Sequence, residues 1–438
     1  MNYMRVSLVW FRNDLRLHDN ITLCRAISES DYVIPVYIFD PRHYRKSTYG
    51  FDKIGPYRSK FVTECVADLR ANLKNTGGDL LVRKGITEEL LTELCLEHGV
   101  SRLYYSKEVA PDEATEERAV NAAMLGIDVE VRSFDNTMLL DRNTLPFSIT
   151  AMPDMFTAFR WQVEKVETCL DPWAPPSTIK VPENIVPGDI PLATELCPQT
   201  TENDFRAAIH FSGGESAGLA HLSRYVWELD GPATYFETRN QLIGEGYSTK
   251  LSAWLSTGAL SARRIYREIK LYELERVANK STYWIIFELL WRDFFRLNME
   301  KYHCELFFQR GPRRRKTSPK NDIEAFTRWI NGWTDDDFVN ANMNELNRTG
   351  FMSNRGRQIV ASYLVHDLNI SWLMGASYFE SMLIDYDVCS NYGNWAYIAG
   401  VGNDPRDNRY FNVAKQASMY DPDGAYRRLW TKNKEYET

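Results

Sequence analysis

Several signatures are missing from this 438-residue chain, and each absence removes a class of function. The seven cysteines (Cys24, Cys65, Cys95, Cys169, Cys197, Cys304 and Cys389) are scattered, with no C-x-x-C pair. That pattern gives no zinc or iron–sulfur signature and suits reduced thiols in a cytosol. No metal site is expected. No apolar run reaches membrane-spanning length, and residues 6–11 are too short for the core of a signal peptide before Arg12-Asn13-Asp14 interrupts them. Positive charge is not in excess. The net charge of −7 excludes a protein coated in Lys and Arg, though not a local basic groove. No G-x-G-x-x-G follows the first apolar segment, so a dinucleotide site of the usual kind is not expected there. Repeats and low-complexity segments are absent too. The chain reads as soluble and cytoplasmic.

What is present is aromatic weight, unevenly placed. Aromatic residues make up 13% of the chain, and nine of the twelve tryptophans follow residue 220. The first 134 residues alternate short apolar segments (6–11, 33–39, 80–82, 103–105, 129–131) with stretches of helical spacing (63–73, 88–96, 113–125). This alternation predicts right-handed crossovers and a mostly parallel sheet covered on both faces. Residues 135–215 differ, with seven of the eighteen prolines between Pro172 and Pro198, and read as a connector wrapping over the surface. From 216 to 438 helical patterning dominates. The fold class is therefore an N-terminal parallel-sheet α/β domain, 1–134, joined by a long linker to a C-terminal helical domain. Within the latter, residues 283–295 are apolar on nearly every face and predict a central helix. Its Glu288 and Arg292, spaced i, i+4, read either as a helix ion pair or as the lining of a cavity.

Three polar sets interrupt this aromatic half. Residues 383–395 place Asp385, Asp387, Asn391 and Asn394 among Leu383, Ile384, Val388 and Trp395, which half-buries the polar groups and demands partners for them. Asn354-Arg355-Gly356-Arg357-Gln358 lies just upstream, and Tyr247-Ser248-Thr249-Lys250-Leu251-Ser252 further back. Taken singly, the first reads as a helix-capping network and the last as a simple N-cap. Together they point to a large ligand with a polar edge and a flat ring.

The motifs, in order, resemble the photolyase/cryptochrome flavoproteins, and within them the cryptochrome-DASH subgroup. The resemblance rests on Trp10-Phe11-Arg12-Asn13-Asp14-Leu15-Arg16, on Tyr235-x-Glu237-Thr238-Arg239-Asn240, on 248–252 with Gly258-x-Leu260-Ser261, and on Glu288-Leu289-Leu290-Trp291-Arg292-Asp293. Its most subgroup-specific part is 400–406 (Gly-Val-Gly-Asn-Asp-Pro-Arg) with Arg409-Tyr410-Phe411-Asn412. It implies non-covalent FAD. Tyr235, Ser248, Thr249, Lys250, Leu251 and Ser252 would hold the diphosphate, where N–H groups and hydroxyls at a helix start suit phosphate. Arg357 and Asp385 would bridge the flavin edge, Asp387 would sit beside the pyrimidine and ribityl side, Asn391 would face N5, and Asn394 would also contact the cofactor. An amide there accepts from N5–H and leaves the negative charge of a reduced flavin elsewhere on the ring.

On the substrate side the resemblance implies that Trp291 stacks an extruded base and Glu288 bonds a base edge. Asn354, Gln358 and Tyr397 would line that side, and Arg239 and Arg355 would meet phosphates. Relatives that repair six-four photoproducts would carry His at 354 and 358; neither is His here. Trp395 and Trp372 match the first two members of a tryptophan relay to the flavin. The third would fall near Pro319, where the chain reads Ser318-Pro319-Lys320, leaving Trp329 or Trp333 as substitutes. Asp335, Asp336 and Asp337 replace a basic segment of the family and lower the local positive potential, while Arg310, Arg313, Arg314, Arg315 and Lys316 read as a solvated run or a phosphate track. An antenna pigment is also implied, a folate such as 5,10-methenyltetrahydrofolate, with Glu64 and Glu108 as candidate pterin contacts. The expectation is a monomeric enzyme that repairs cyclobutane pyrimidine dimers in single-stranded DNA under blue light. The competing expectation is a blue-light sensor, for which the short stretch after Trp430 argues against tail release.

Overall fold

The computed structural model describes residues 4–166, 171–404, 406 and 409–431. Cys169, Pro405 of the 400–406 motif and the residues after Thr431 lie outside the described residues. Five parallel strands form one sheet in the order β3-β2-β1-β4-β5: β1 (Val6–Phe11), β2 (Tyr32–Phe39), β3 (Leu81–Lys84), β4 (Val100–Ser106) and β5 (Glu130–Phe134). The crossovers run through α1 (Ile21–Glu29), α2 (Pro56–Asn75), α3 (Thr87–Glu97) and α4 (Pro111–Gly126). Every strand and three of the helices coincide with segments picked out from sequence. α1 does not. Leu23 and Ala26 are buried and Ile27 packs against the core, an i, i+3, i+4 stripe on a helix of only nine residues, and the Asn20 side chain caps it by accepting from Leu23 N at 3.0 Å.

Alternation along β1 separates two cores. Val9 and Phe11 face a cluster that continues into the helical half, whereas Leu8 and Trp10 face Ile34, Leu91, Leu94, Val120 and Met124 beneath α3 and α4. A one-residue slip would exchange these sets, so the register is strongly specified. The connector is not all surface. Met138, Leu139, Leu140, Met152, Phe156, Phe159 and Val163 are core residues. The proline-rich portion behaves as a surface strap, running past the sheet edge where Val82 N donates to Pro187 O at 2.7 Å. Composition averaged two unlike halves of one segment.

The halves are fastened by buried polar groups. Arg16 donates to four carbonyls, those of His18, Asp19, Asn136 and Gly258, at 3.0, 2.8, 2.6 and 2.8 Å. Gly258, at φ +66°, sits so close to the 13–14 backbone that a Cβ would lie 1.9 Å from Asn13 O. Glu215 accepts from Leu17 N and His18 N at 2.7 and 3.0 Å. Asp293, inside the long helix Lys280–Tyr302, accepts from Leu139 N and Leu140 N at 3.2 and 2.8 Å, and its burial pushes its carboxyl up to about 6. That helix begins in an Asn279/Thr282 capping box and buries Ile285, Ile286, Leu289, Leu290, Phe294 and Phe295, the central position its composition predicts.

Candidate cofactor and substrate site

A cavity of about 310 Å³ opens in the helical half, walled by the 280–302 helix, the helix Asn354–Ser362 and the helix Val388–Ile398. Tyr235, Ser248, Thr249, Lys250, Leu251, Ser252, Arg357, Asp385, Asp387, Asn391 and Asn394 all line it. These eleven residues come from four separate stretches of sequence. Apolar walls that sequence reasoning missed complete it, among them Leu255, Ile265, Ile285, Met352 and Phe379. Nothing in a single apolar residue distinguishes cavity wall from packing.

Asp385 is buried and its oxygens are fully committed. It accepts from Arg357 Nη2 at 2.8 and 3.0 Å and from Ser252 Oγ at 2.5 Å. A charged acceptor makes such bonds strong, and the pair tolerates burial because both members are bonded. Arg357 Nε donates to Met352 O at 2.8 Å, which fixes the plane of the guanidinium. The Ser252 hydroxyl thus serves Asp385, whereas Ser248 and Thr249 stay half-buried at the cavity wall.

Lys250 takes a left-handed backbone (φ +49°) and turns beneath its loop, its Nζ donating to Glu245 O at 2.6 Å and lying 3.5 Å from the centre of the Tyr247 ring. Burial pushes its ammonium down to about 7. It shapes the 248–252 turn instead of aiming a charge into the cavity, and His221 helps by bonding Thr249 O at 2.8 Å.

Asn391 is buried, and its Nδ2 is spent on Ala376 O at 3.0 Å. Only the amide nitrogen can donate to that carbonyl, so Oδ1 is the group left for the cavity. Asp387 caps the same helix through Ser390 N at 2.7 Å, and Asn394 Nδ2 returns to Ser390 O at 2.8 Å. Capping and cavity-lining therefore coexist in this stretch. Trp395 packs its ring on Gly375 of the helix Trp372–Met382, where a Cβ would lie 2.3 Å from Cη2.

Around the rim the cations are already engaged. Glu288 pairs with Arg239, not with Arg292, which instead donates to the carbonyls of Thr137 and Leu255. Of the two readings of the i, i+4 spacing, the structure follows the cavity-lining one, since Glu288 and Arg292 both line the cavity. Asn354 and Gln358 line it as well. Arg355 donates to Gln358 Oε1 and Asn240 Oδ1 at 2.9 and 3.0 Å and lies 4.9 Å from the Tyr420 ring. Trp291 stacks on Phe156 at 3.7 Å and meets Tyr397 edge-on at 5.8 Å. Tyr397 in turn accepts from Arg409 Nη2 at 2.7 Å.

Other predicted residues fall elsewhere. Glu64, on α2, accepts from Gly213 N at 2.8 Å, whereas Glu108, after β4, binds Arg296 at 2.7 Å and Asn13 at 3.3 Å; the two share no partner. Asp336 caps the helix Asp337–Thr349 through Phe338 N and Val339 N, which gives the acidic run a helix-start role. Trp395 and Trp372 are buried on facing helices. Trp329 lies 6.3 Å from Trp395 and is fully buried, while Trp333 is 68% exposed.

With this geometry in view, comparison with known proteins decides the family. Residues 7–178 match a model of DNA photolyase and residues 284–435 a model of the FAD binding domain of DNA photolyase. The cryptochrome DASH of Gloeobacter violaceus is 48% identical over 426 residues, covering 97% of this chain and 85% of that protein. This chain belongs to the cryptochrome-DASH family. The cryptochrome DASH of Xenopus laevis is 47% identical over 430 residues, covering 97% of this chain and 82% of that one. A solved Synechocystis sp. PCC6803 cryptochrome superposes with a TM-score of 0.95 at 45% identity, covering 98% of this chain and 89% of that chain. A class III photolyase from Agrobacterium tumefaciens gives 0.84 at 26% identity, covering 98% and 87%. The cavity thus lies within a cryptochrome-DASH fold, and much of its wall belongs to the FAD-binding region.

Proposed function

We propose that this chain repairs cyclobutane pyrimidine dimers under blue light, mainly in single-stranded DNA. The observation that carries the proposal is one cavity joining the 248–252 turn, the Arg357–Asp385 pair and the carbonyl of Asn391, with Glu288 and Arg239 at its rim. These groups fit FAD: donors for a diphosphate at one end, a guanidinium and an amide carbonyl for the ring edge at the other, and apolar walls between. When bound, reduced and excited, FAD supplies the electron that opens the cyclobutane ring and receives it back afterwards.

The chain's own residues bind and orient. Ser248 and Thr249 offer hydroxyls to phosphate oxygens. Arg357, its plane fixed by Asp385 and Met352 O, presents its remaining N–H groups to the ring edge. Asn391 Oδ1 accepts a proton-bearing nitrogen. Trp291 and Tyr397 form an aromatic corner on which an extruded base can stack, while Glu288 meets its polar edge. No residue of the site needs to shuttle a proton.

Single strands are favoured because extrusion from a duplex costs a few kcal/mol of stacking and pairing that unpaired DNA does not. The rim has limited spare charge to offset it, as Arg239 is already paired with the carboxylate of Glu288, while Arg355, bonded to the neutral amides of Gln358 and Asn240, keeps its charge. The same observation favours a second reading, blue-light sensing with little or no repair. The antenna in this reading is a folate, 5,10-methenyltetrahydrofolate, with Glu64 and Glu108 as candidate pterin contacts; both carboxylates also hold protein partners, Gly213 N for the first and Arg296 and Asn13 for the second. We place the protein in the cytoplasm as a monomer; some relatives carry other addresses, such as the Arabidopsis thaliana protein named chloroplastic/mitochondrial.

The deciding experiment illuminates the flavin-loaded protein with dimer-containing single-stranded and duplex oligonucleotides. Repair of single strands at least tenfold faster is expected. Equal rates on both would remove the substrate preference, and no repair of either would leave sensing as the function.

A further inference from the structure

The α/β half reaches the cofactor cavity through the start of α2. Gly55 precedes that helix, and a Cβ there would lie 2.0 Å from Ser381 O, so the two backbones touch. Three residues on, Arg58 is 7% exposed, and its Cζ lies 4.3 Å from the centre of the Tyr386 ring. Tyr386 belongs to the cavity wall, between Asp385 and Asp387. A cation from one half of the chain thus stands one ring behind the cavity of the other.

Arg58 is poorly matched where it stands. Its guanidinium donates to Lys53 O through Nη2, while its Nε is buried and has no hydrogen-bond partner among the described residues. The nearby carboxylates are committed elsewhere. Asp385 accepts from Arg357 and Ser252, and Glu380 accepts from Tyr392 at 3.2 Å. Burial pulls the Arg58 pKa below its ordinary value, opposed through space by Tyr386, Glu380, Tyr44 and Asp385. The guanidinium stays protonated even so. An interior cation with one N–H unmatched costs stability, but its field carries further there than at the surface.

The cavity's own lining has little net charge. Arg239, Arg292 and Arg357 are matched in number by Glu288, Asp385 and Asp387, and burial has pushed Lys250 down to about 7. We propose that Arg58 sets the redox balance of the cofactor from the α/β half: its charge, standing behind Tyr386, favours the negatively charged reduced flavin over the neutral oxidised ring. The proposal rests on the flavin reading of the cavity. Arg58 acts through its field, across the Tyr386 ring, and supplies the net positive charge that the balanced lining lacks. A unit charge roughly 10 Å away, at an effective dielectric of about 20, shifts an equilibrium somewhat more than tenfold.

The test is a spectroelectrochemical titration of flavin-loaded full-length protein and its variants. Arg58→Gln should lower the midpoint potential by about 30 mV or more, a tenfold loss in the two-electron equilibrium. Arg58→Met, which leaves no polar group to bury, should lower it equally. Arg58→Lys keeps the charge and should recover most of the shift. The same neutralisation at exposed Lys165, Lys165→Gln, should leave the potential unaltered. Flavin per chain after gel filtration, read in the oxidised state, separates tuning from packing. Loss of flavin from both neutral variants makes Arg58 a packing residue and overturns the proposal, as does a shift in Arg58→Lys as large as in Arg58→Gln. Retained flavin with an unmoved potential overturns it as well and leaves the flavin reading intact. A wild type that takes up no flavin fails that reading, and the proposal with it.

Discussion

Gly375→Ala tests the link between helix packing and the cofactor cavity. The added methyl would lie 2.3 Å from Trp395 Cη2 and 2.6 Å from both Trp395 Cζ3 and Leu364 Cδ2. Carbon atoms settle at roughly 3.5–4.0 Å, so the indole must retreat by more than about 1 Å. Leu364 is fully buried and Trp395 nearly so, which leaves the cavity as the open direction. Overpacking of this kind costs about 1–3 kcal/mol, and alanine regains about 1 kcal/mol over glycine within a helix. Net destabilisation should thus stay within about 2 kcal/mol, a modest fall in Tm. The site should suffer more, because an indole displaced into it takes the place of the ring. At least a tenfold loss of FAD affinity, about 1.4 kcal/mol, is expected. Flavin per chain after gel filtration, read with a thermal melt, measures both. Full flavin occupancy with an unchanged melt would show that the two helices separate freely and that Trp395 is not wedged against Gly375.

Asn391→Asp should lower the midpoint potential of bound flavin. A second negative charge roughly 5 Å away at an effective dielectric of about 20 opposes a reduced, anionic ring by on the order of 3 kcal/mol, and an unchanged potential would remove Asn391 from the ring. Photoreduction without added reductant should be slow and should quicken in Pro319→Trp. Trp329→Phe should leave it as it is, since Trp329 is sealed from solvent; its abolition there would instead make Trp329 the working branch. Burial lifts Glu345, which accepts from Tyr426 at 2.5 Å, from 4.5 to about 7. Its neutral form stabilises the fold fully below about pH 4.5, and that contribution is lost as pH rises through 7. Glu345→Gln should therefore flatten the decline in Tm over this window; an identical pH profile would show that another group governs it.

Strand positions and the central helix were legible because each is a largely apolar run: 6–11 for β1, buried along nearly its whole length, and 283–295 for the helix. α1 went unread because its stripe of Leu23, Ala26 and Ile27 spans little more than one turn. The core contribution of Leu139 and Phe156 was hidden by prolines some thirty residues away that set the character of the whole connector. In the cavity, motif order located the polar lining, since Asp385, Arg357 and Asn391 lie in motif positions of the family. Which atom each uses was not legible. The hydroxyl of Ser252 goes to Asp385 and the ammonium of Lys250 to a carbonyl beneath its own loop, choices set by neighbours more than a hundred residues away in one case and five in the other. Arg292 looked like a partner for Glu288 because helical spacing allowed it. Thr137 and Leu255 supplied better acceptors, and Arg239 took the carboxylate.

Arg16 holds carbonyls from two distant places in the chain, Asn136 and Gly258, and Gly258 admits the backbone of residue 13 to within the reach of an absent methyl. A lineage that exchanged its α/β half for that of a distant relative would bring Arg16 against a new backbone at 258, and any side chain there in place of Gly258 would strike the residue-13 carbonyl and leave one buried guanidinium donor unmatched. Recombination at the exposed proline-rich strap is therefore expected to succeed only between parents that both carry arginine at the position of Arg16 and glycine at that of Gly258.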